Sequence, residues 1–251
     1  MKLEDFFAEH NKLALAFSGG ADSAFLLYYA VRCGADVAPF FIKSQFQPEF
    51  ERRDAMRLAD ELGVRLREID IDVLQLPEVS DNPANRCYYC KRHIMSEIRA
   101  AAAKEGYYTV IDGTNASDDG EDRPGMRVLS EENILSPLRI CKLTKSDVRR
   151  MSRAAGLFTW NKPAYACLAT RIPTGEKISA EKLRAVEMSE DYLFSLGYSD
   201  FRVRLREGGA LLQFTAKQRE KAENEIKIIE NGLKKYFGII KIDPKARNES
   251  I

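Results

Sequence analysis

Hydrophobic and polar positions along the chain alternate between two periods. Short apolar runs at 13–17 (LALAF), 35–42 (ADVAPFFI), 64–71 and 107–112 (YYTVID) read as buried strands. Between them lie amphipathic, helical stretches: an Ala/Leu/Tyr-rich one running to about Arg32, a charged one at 47–62 closed by Gly63, and one within 81–104 after the Pro83 loop. The residues at 6–11 read as the tail of a leading helix. Strand and helix in regular alternation predict an α/β domain built on a parallel sheet covered on both faces. In such sheets ligands sit at the carboxyl ends of strands, where Ser18 and Asp112 are expected.

A helix at 144–155 follows, with Thr144 as N-cap and Asp147 three residues on. Pro and Gly then punctuate the pattern at 171–175 (RIPTG), so the expected domains are 1–172 and 173–251. The second reads as a small α+β module. It has a helix at 179–196 capped by Ser179, strands at 201–205 and 210–214 around Gly208-Gly209, a helix at 217–236 and a last strand at 238–242.

The first strand runs straight into Ser18-Gly19-Gly20-Ala21-Asp22-Ser23 and a helix start. Unpaired N–H groups at a helix N-terminus, and glycines that admit close approach, make an anion site. Ser18 and Ser23 add hydroxyl donors, while Asp22 beside phosphates requires a bridging divalent cation. The stretch therefore reads as a cradle for a nucleotide triphosphate with Mg²⁺. Neither a Walker-type glycine–lysine loop nor a dinucleotide-binding fingerprint is present. The six residues resemble the SGGxDS signature of the PP-loop ATP pyrophosphatases, which cleave ATP between the α and β phosphates and adenylate an oxygen of a second substrate.

Composition narrows the partners. A net charge of +1 over 251 residues provides no global field for a polyanion such as tRNA. With neither a leader-like N-terminus nor an apolar run of membrane-spanning length, a cytoplasmic protein with no membrane partner is expected. Five cysteines in such a protein point to metal or sulfur chemistry before disulfides.

Cys87 and Cys90, three residues apart at a helix start in RCYYCK, can reach one metal, and Arg86, Lys91 and the helix terminus favour their thiolates. A thioredoxin-like redox pair, or two incidental cysteines, are the other readings. Cys167, in a non-periodic segment with Arg171, is a candidate nucleophile or ligand. Cys33 and Cys141 read as packed small hydrophobes. Arg202, Arg204 and Arg206 share one strand face, suited to a phosphate or carboxylates or simply to solvent.

Residues 112–125 (DGTNASDDGEDRPG) resemble the DGTNxxD…RPG segment of one PP-loop branch. The resemblance implies that Asp112, Gly113, Thr114, Asn115 and Asp118, with Lys43, hold ATP and its metal, with Arg123 near the phosphates or the acceptor. SGGADSAFLL, NPANRCYYCK, DGTNASD with RPG, SPLR and KPAYACLATRIPTGEKI, in this order, are similar to one family. It is the ATP-dependent sulfur transferase of the lactate racemase nickel-pincer cofactor pathway. This resemblance implies that the carboxylates of pyridinium-3,5-biscarboxylic acid mononucleotide are adenylated and converted to thiocarboxylates. Cys87, Cys90 and Cys167 match the members that hold a 4Fe–4S cluster on three cysteines, where the open iron carries a sulfide. In other members the cysteine matching Cys167 gives up its own sulfur. Cys167, Asp22 and Arg171 would then be catalytic, and Glu190, Arg202, Arg204 and Arg247 would bind substrate. The resemblance also implies a homo-oligomer, and leaves the sulfide source open. The chain departs from the family pattern at 212–214, where Leu-Gln-Phe replaces Arg-Ile-Glu, and near its end. tRNA thiolation, amide formation and an ATP sensor without turnover are the competing functions.

Overall fold

The computed structural model describes residues 1–118 and 124–249. Along the chain run α1 (Leu3–Glu9), β1 (Lys12–Ala16), α2 (Ala21–Arg32), β2 (Asp36–Lys43), α3 (Glu49–Glu61), β3 (Arg67–Asp70), α4 (Pro77–Ser80), α5 (Arg86–Lys104) and β4 (Val110–Asp112). Then come α6 (Pro124–Glu131), α7 (Pro137–Ile140), α8 (Lys145–Ala154), α9 (Ala180–Ser195), β5 (Arg202–Arg206), β6 (Gly209–Gln213), α10 (Ala216–Asn224), α11 (Ile226–Leu233) and β7 (Ile240–Ile242). By internal contacts the chain forms two units. One is Met1–Asp72 with Asn85–Lys162, the other Val73–Ala84 with Pro163–Ile251.

The first unit is an α/β layer structure around a parallel sheet of order β3-β2-β1-β4. The period-two pattern sorts its side chains. Leu13, Leu15, Phe17, Val37 and Phe41 pack against residues of α1, α2, α3 and α8. Ala14, Ala38, Phe40 and Ile42 pack against α5 and α6 through Met95, Ile98, Ala102, Val128 and Leu129. With both faces covered, the strands can be apolar throughout. Pro39 is tolerated in the interior strand β2 because pairing with β3 begins only at Phe40. The leading helix ends at Glu9, two residues short of its predicted tail at 6–11, because the chain must extend into β1 by Lys12; Leu3, Phe6 and Phe7 form its buried stripe.

In the second unit β5 and β6 pair antiparallel and β6 and β7 parallel. A two-residue turn at Glu207 (φ 51°) and Gly208 (φ 73°) joins the hairpin, the left-handed pair that matches strand twist. The predicted single helix at 217–236 is two helices. Glu225 breaks it, with φ −96° and ψ 9°, and its carboxylate accepts from Tyr198 Oη at 2.7 Å. Gly232 lets α11 approach α9: a Cβ there would lie 2.1 Å from the Tyr192 ring. The RIPTG segment lies inside this unit, and the expected boundary at its Pro173 falls ten residues past Pro163, where the second unit resumes. Asn82, from the inserted 73–84 segment, donates from Nδ2 to the carbonyls of Pro173 (2.7 Å) and Glu176 (3.1 Å). Among the described residues no helix is long and apolar enough to cross a membrane.

Candidate functional site

In the first unit the strand order reverses at β1, with β2 on one side and β4 on the other. That is the switch point at which α/β sheets bind ligands. SGGADS follows β1, and Gly113-Thr114-Asn115 follows β4. Gly20 caps α2, and Gly19 has φ +72°. A Cβ at Gly19 would also lie 2.8 Å from the Glu51 carbonyl oxygen of α3, so the loop is glycine on both steric and conformational grounds. Ser18 Oγ lies 3.1 Å from Ser23 Oγ, and Gly20 N donates to Ser18 Oγ at 3.3 Å.

The loop after β4 is held equally closely. Asp112 accepts from Thr114 Oγ1 (2.6 Å), Thr114 N (3.2 Å) and Ser136 Oγ (2.7 Å), and lies 3.7 Å from Lys91 Nζ. Asp118 accepts from Asn115 N at 3.0 Å. A Cβ at Gly113 would sit 2.8 Å from Ser23 N and 3.0 Å from Ser23 Cα, both backbone atoms. Gly113→Ala is therefore expected to displace the first turn of α2. We expect a loss of about 1–3 kcal/mol of stability, measured by urea unfolding, and weakened ATP binding by calorimetry.

Asp22 opens α2 beneath these loops. Its Oδ1 is buried and accepts no hydrogen bond from the described residues. Burial and the neighbouring charge of Asp118 raise its carboxyl above the ordinary range, opposed by Lys145, Asn115 and Arg149. A carboxylate oxygen that has lost water and gained no donor is suited to a divalent cation. The residues present thus fit Mg²⁺ with a triphosphate. Lys43 is at the end of β2, half exposed, and lies 3.4 Å from Asp70. Arg123 lies outside the described residues.

Cys87 and Cys90 fall at the start of α5, as read from the sequence. Cys87 is exposed and Cys90 half-buried, and Arg86 Nη2 lies 3.5 Å from Cys87 Sγ. Two thiols one turn apart, with a guanidinium at hand, suit one edge of an iron–sulfur cluster. Among the described residues no three His, Cys, Asp or Glu side chains are gathered as a metal-ligand set. Cys33 is exposed, not packed, because it caps α2 at the surface, whereas Cys141 does pack against the core.

In the second unit Cys167 is half-buried and precedes a 3-10 turn, Leu168–Arg171. Its carbonyl accepts from Thr170 Oγ1 at 2.8 Å. Arg171, fully buried, donates through Nε and Nη2 to the two oxygens of buried Glu190 (2.9 and 3.1 Å), and through Nη1 to the Ala166 carbonyl (2.8 Å). Glu190 also accepts from Val203 N (2.9 Å) and Tyr165 Oη. Burial opposes the charge on Arg171, but Glu190 outweighs it and leaves the guanidinium more basic than usual.

The arginines of β5 are graded. Arg202 is buried and donates to the carbonyls of Phe201 and Ala164; Arg204 is half-buried; Arg206 is exposed. Burial, then Arg171 and Arg247, push Arg202 down to about 10. Arg204 donates to Gln213 Oε1 (2.6 Å) and the Thr170 carbonyl (2.9 Å), while Gln213 Nε2 donates to Asp243 (2.6 Å). Gln213, in the stretch that departs from the family pattern, thus links Arg204 to an acid from farther along. Arg247 pairs with Asp200. Tyr165, whose ring lies 4.4 Å from the Arg171 guanidinium and 5.1 Å from that of Arg202, was not singled out from sequence. Nor was Lys162, which reaches the SGGADS loop from the end of the first unit. Both lie within KPAYACLATR, but neither residue type there carries a spacing signal.

No family model matches the chain. It is 33% identical over 196 residues to the pyridinium-3,5-bisthiocarboxylic acid mononucleotide synthase of Lactiplantibacillus plantarum, covering 77% of this chain and 71% of that protein. The chain belongs to this synthase family. It is also 36% identical over 218 residues to an uncharacterized protein of Synechocystis sp. (86% of this chain, 81% of that one). A more distant likeness, 23% over 288 residues, is to the tRNA-specific 2-thiouridylase MnmA of Thermotoga neapolitana (93% of this chain, 80% of that one). The parallel-sheet fold is that of the PP-loop superfamily, and the family relationship makes the protein an ATP-dependent sulfurtransferase.

Proposed function

We propose that the protein adenylates the carboxylates of pyridinium-3,5-biscarboxylic acid mononucleotide and replaces the AMP by sulfur, giving thiocarboxylates for a nickel-pincer cofactor. The observation that carries the nucleotide half is Asp22 Oδ1, buried beside the N-terminus of α2 and without a donor among the described residues. In this reading Asp22 and Asp118 hold Mg²⁺. Ser18, Gly19, Gly20 and Ser23 receive the pyrophosphate half, and Gly113, Thr114 and Asn115, with Lys43 and Arg123, complete the nucleotide set. A carboxylate oxygen of the substrate attacks the α phosphorus, the bond to the bridging oxygen breaks, and pyrophosphate leaves with the electron pair. A sulfur nucleophile then attacks the acyl carbon and AMP departs, taking the pair from the acyl C–O bond. Donors pre-aimed at the departing phosphates stabilise the charge that develops there.

Cys87, Cys90 and Cys167 would hold a 4Fe–4S cluster, which when bound supplies sulfide at an iron that lacks a protein ligand. Arg202, Arg204 and Arg247 bind the anionic groups of the mononucleotide. Arg171 and Glu190 act by holding the Cys167 turn and β5 in place. The thiouridylase likeness makes tRNA the second acceptor to test, against a net charge of +1.

Pyrophosphate release on adding the mononucleotide to protein, ATP and Mg²⁺ is the expected result; release on adding tRNA instead would replace this acceptor. Cys167→Ala is expected to keep pyrophosphate release and lose sulfur transfer, and transfer at the wild-type rate would remove Cys167 from the site. Anaerobic iron analysis separates the two sulfur sources. About four irons per chain, lost in Cys87→Ala, supports the cluster. An iron-free protein whose Cys167 loses about 34 Da on turnover makes that residue the consumed donor.

A further inference from the structure

The SGGADS loop offers N–H groups and hydroxyls, but residues 18–23 contain no basic side chain. A triphosphate carrying one Mg²⁺ remains anionic, and charge accumulates on the pyrophosphate as the α–β bond breaks. Lys162 stands at this loop. Its Nζ donates to the Gly19 carbonyl at 3.1 Å and to Asp54 Oδ2 of α3 at 2.6 Å. The side chain is 13% exposed, so its charge acts through little water. Its backbone is fixed as well: the Lys162 carbonyl accepts from Arg149 Nη2 at 2.8 Å. Arg149 Nε is itself buried without a partner. Asp54 is more solvated than the lysine, at 32%. An ammonium has three protons, and these two contacts occupy two of them.

We propose that Lys162 binds the pyrophosphate half of ATP, with Asp54 holding its ammonium at the loop until nucleotide arrives. The proposal rests on reading SGGADS as the ATP cradle. It makes Lys162 the cation that the motif lacks, delivered from 143 residues away along the chain. It also separates the two halves of the nucleotide, since AMP lacks the pyrophosphate assigned to this ammonium.

The test is calorimetric titration of the full chain with Mg·ATP, pyrophosphate and AMP. Lys162→Met is expected to weaken ATP and pyrophosphate about tenfold or more, while AMP changes less than about twofold. Lys162→Arg, which keeps the charge, is expected to restore most of the ATP affinity, and Asp54→Ala to leave it undiminished. The proposal is overturned if Lys162→Met binds ATP like the wild type. It is equally overturned if either Lys162→Met or Asp54→Ala loses ATP and AMP in parallel, which marks a structural clamp. Should Lys162→Met fail to melt cooperatively, Lys162→Arg and Asp54→Ala decide by the same ratio of ATP to AMP. A wild-type protein that binds no ATP overturns the cradle reading, and this proposal with it. Wild-type binding with an unselective variant overturns the lysine alone.

Discussion

Asp22→Asn is expected to abolish pyrophosphate release while making the ligand-free protein more stable. Asparagine keeps the shape but loses the charge a divalent cation needs, and the oxygen at stake has no other partner. The stability gain follows from the sign of the shift. Burial and Asp118 raise the carboxyl in the folded state, so folding favours the protonated form. The cost of the buried charge is fully present above the raised value. It is relieved as pH falls through that value toward the ordinary carboxylate range. The variant should thus melt about 2–4 °C above the wild type near pH 7, for about 1 kcal/mol, and the gap should close on acidification. In the wild type, Mg²⁺-dependent ATP binding should weaken on the same acid side. Unchanged pyrophosphate release in the variant would remove Asp22 from the metal's coordination, and the lack of a pH-dependent stability difference would mean that its carboxyl is not raised by folding.

Arg171→Ala is expected to cost about 3–5 kcal/mol in urea unfolding, the penalty for leaving one member of a buried ion pair alone. Arg171 and Glu190 have side-chain exposures of 0% and 2%, and among the described residues Glu190 would keep Tyr165 Oη and Val203 N as donors. Arg171→Met combined with Glu190→Gln should recover a large part of the loss, because no uncompensated charge stays buried. A single variant as stable as the wild type would mean that the pair does not hold the Cys167 turn.

Much of this was legible in the sequence because it is local. The six residues of SGGADS, the alternation of Leu13, Ala14 and Leu15, and the Thr144–Asp147 capping box each depend on neighbours a few positions away. The strand-end placement of Ser18 and Asp112 followed from those local readings plus one rule about parallel sheets. What sequence could not convey depends on residues far apart in the chain. A one-face stripe of arginines is sound geometry for a strand, yet it does not tell that Arg202 is buried with one Nη on the Ala164 carbonyl while Arg206 faces water. Gln213 read only as part of a departure from the family pattern, because its link to Asp243 spans 30 residues. Lys162 carried no signal, since its partners lie 143 and 108 residues away. The break at Glu225 has no Gly or Pro to announce it, and depends on a tyrosine 27 residues upstream.

The insertion of 73–84 into the second unit bears on how this protein is made. The polypeptide crosses between its two units at 72/73, 84/85 and 162/163. The piece it leaves behind at the first two crossings carries Val73 and Val79, both fully buried, and the Asn82 amide that ties down the carbonyls of Pro173 and Glu176. During synthesis this strip emerges some ninety residues before the segment it secures, so it must wait for the C-terminal third to leave the ribosome. A fragment starting at Pro163 would be born without its keystone, and the second unit is therefore not a cassette that can be exchanged between proteins by a single cut.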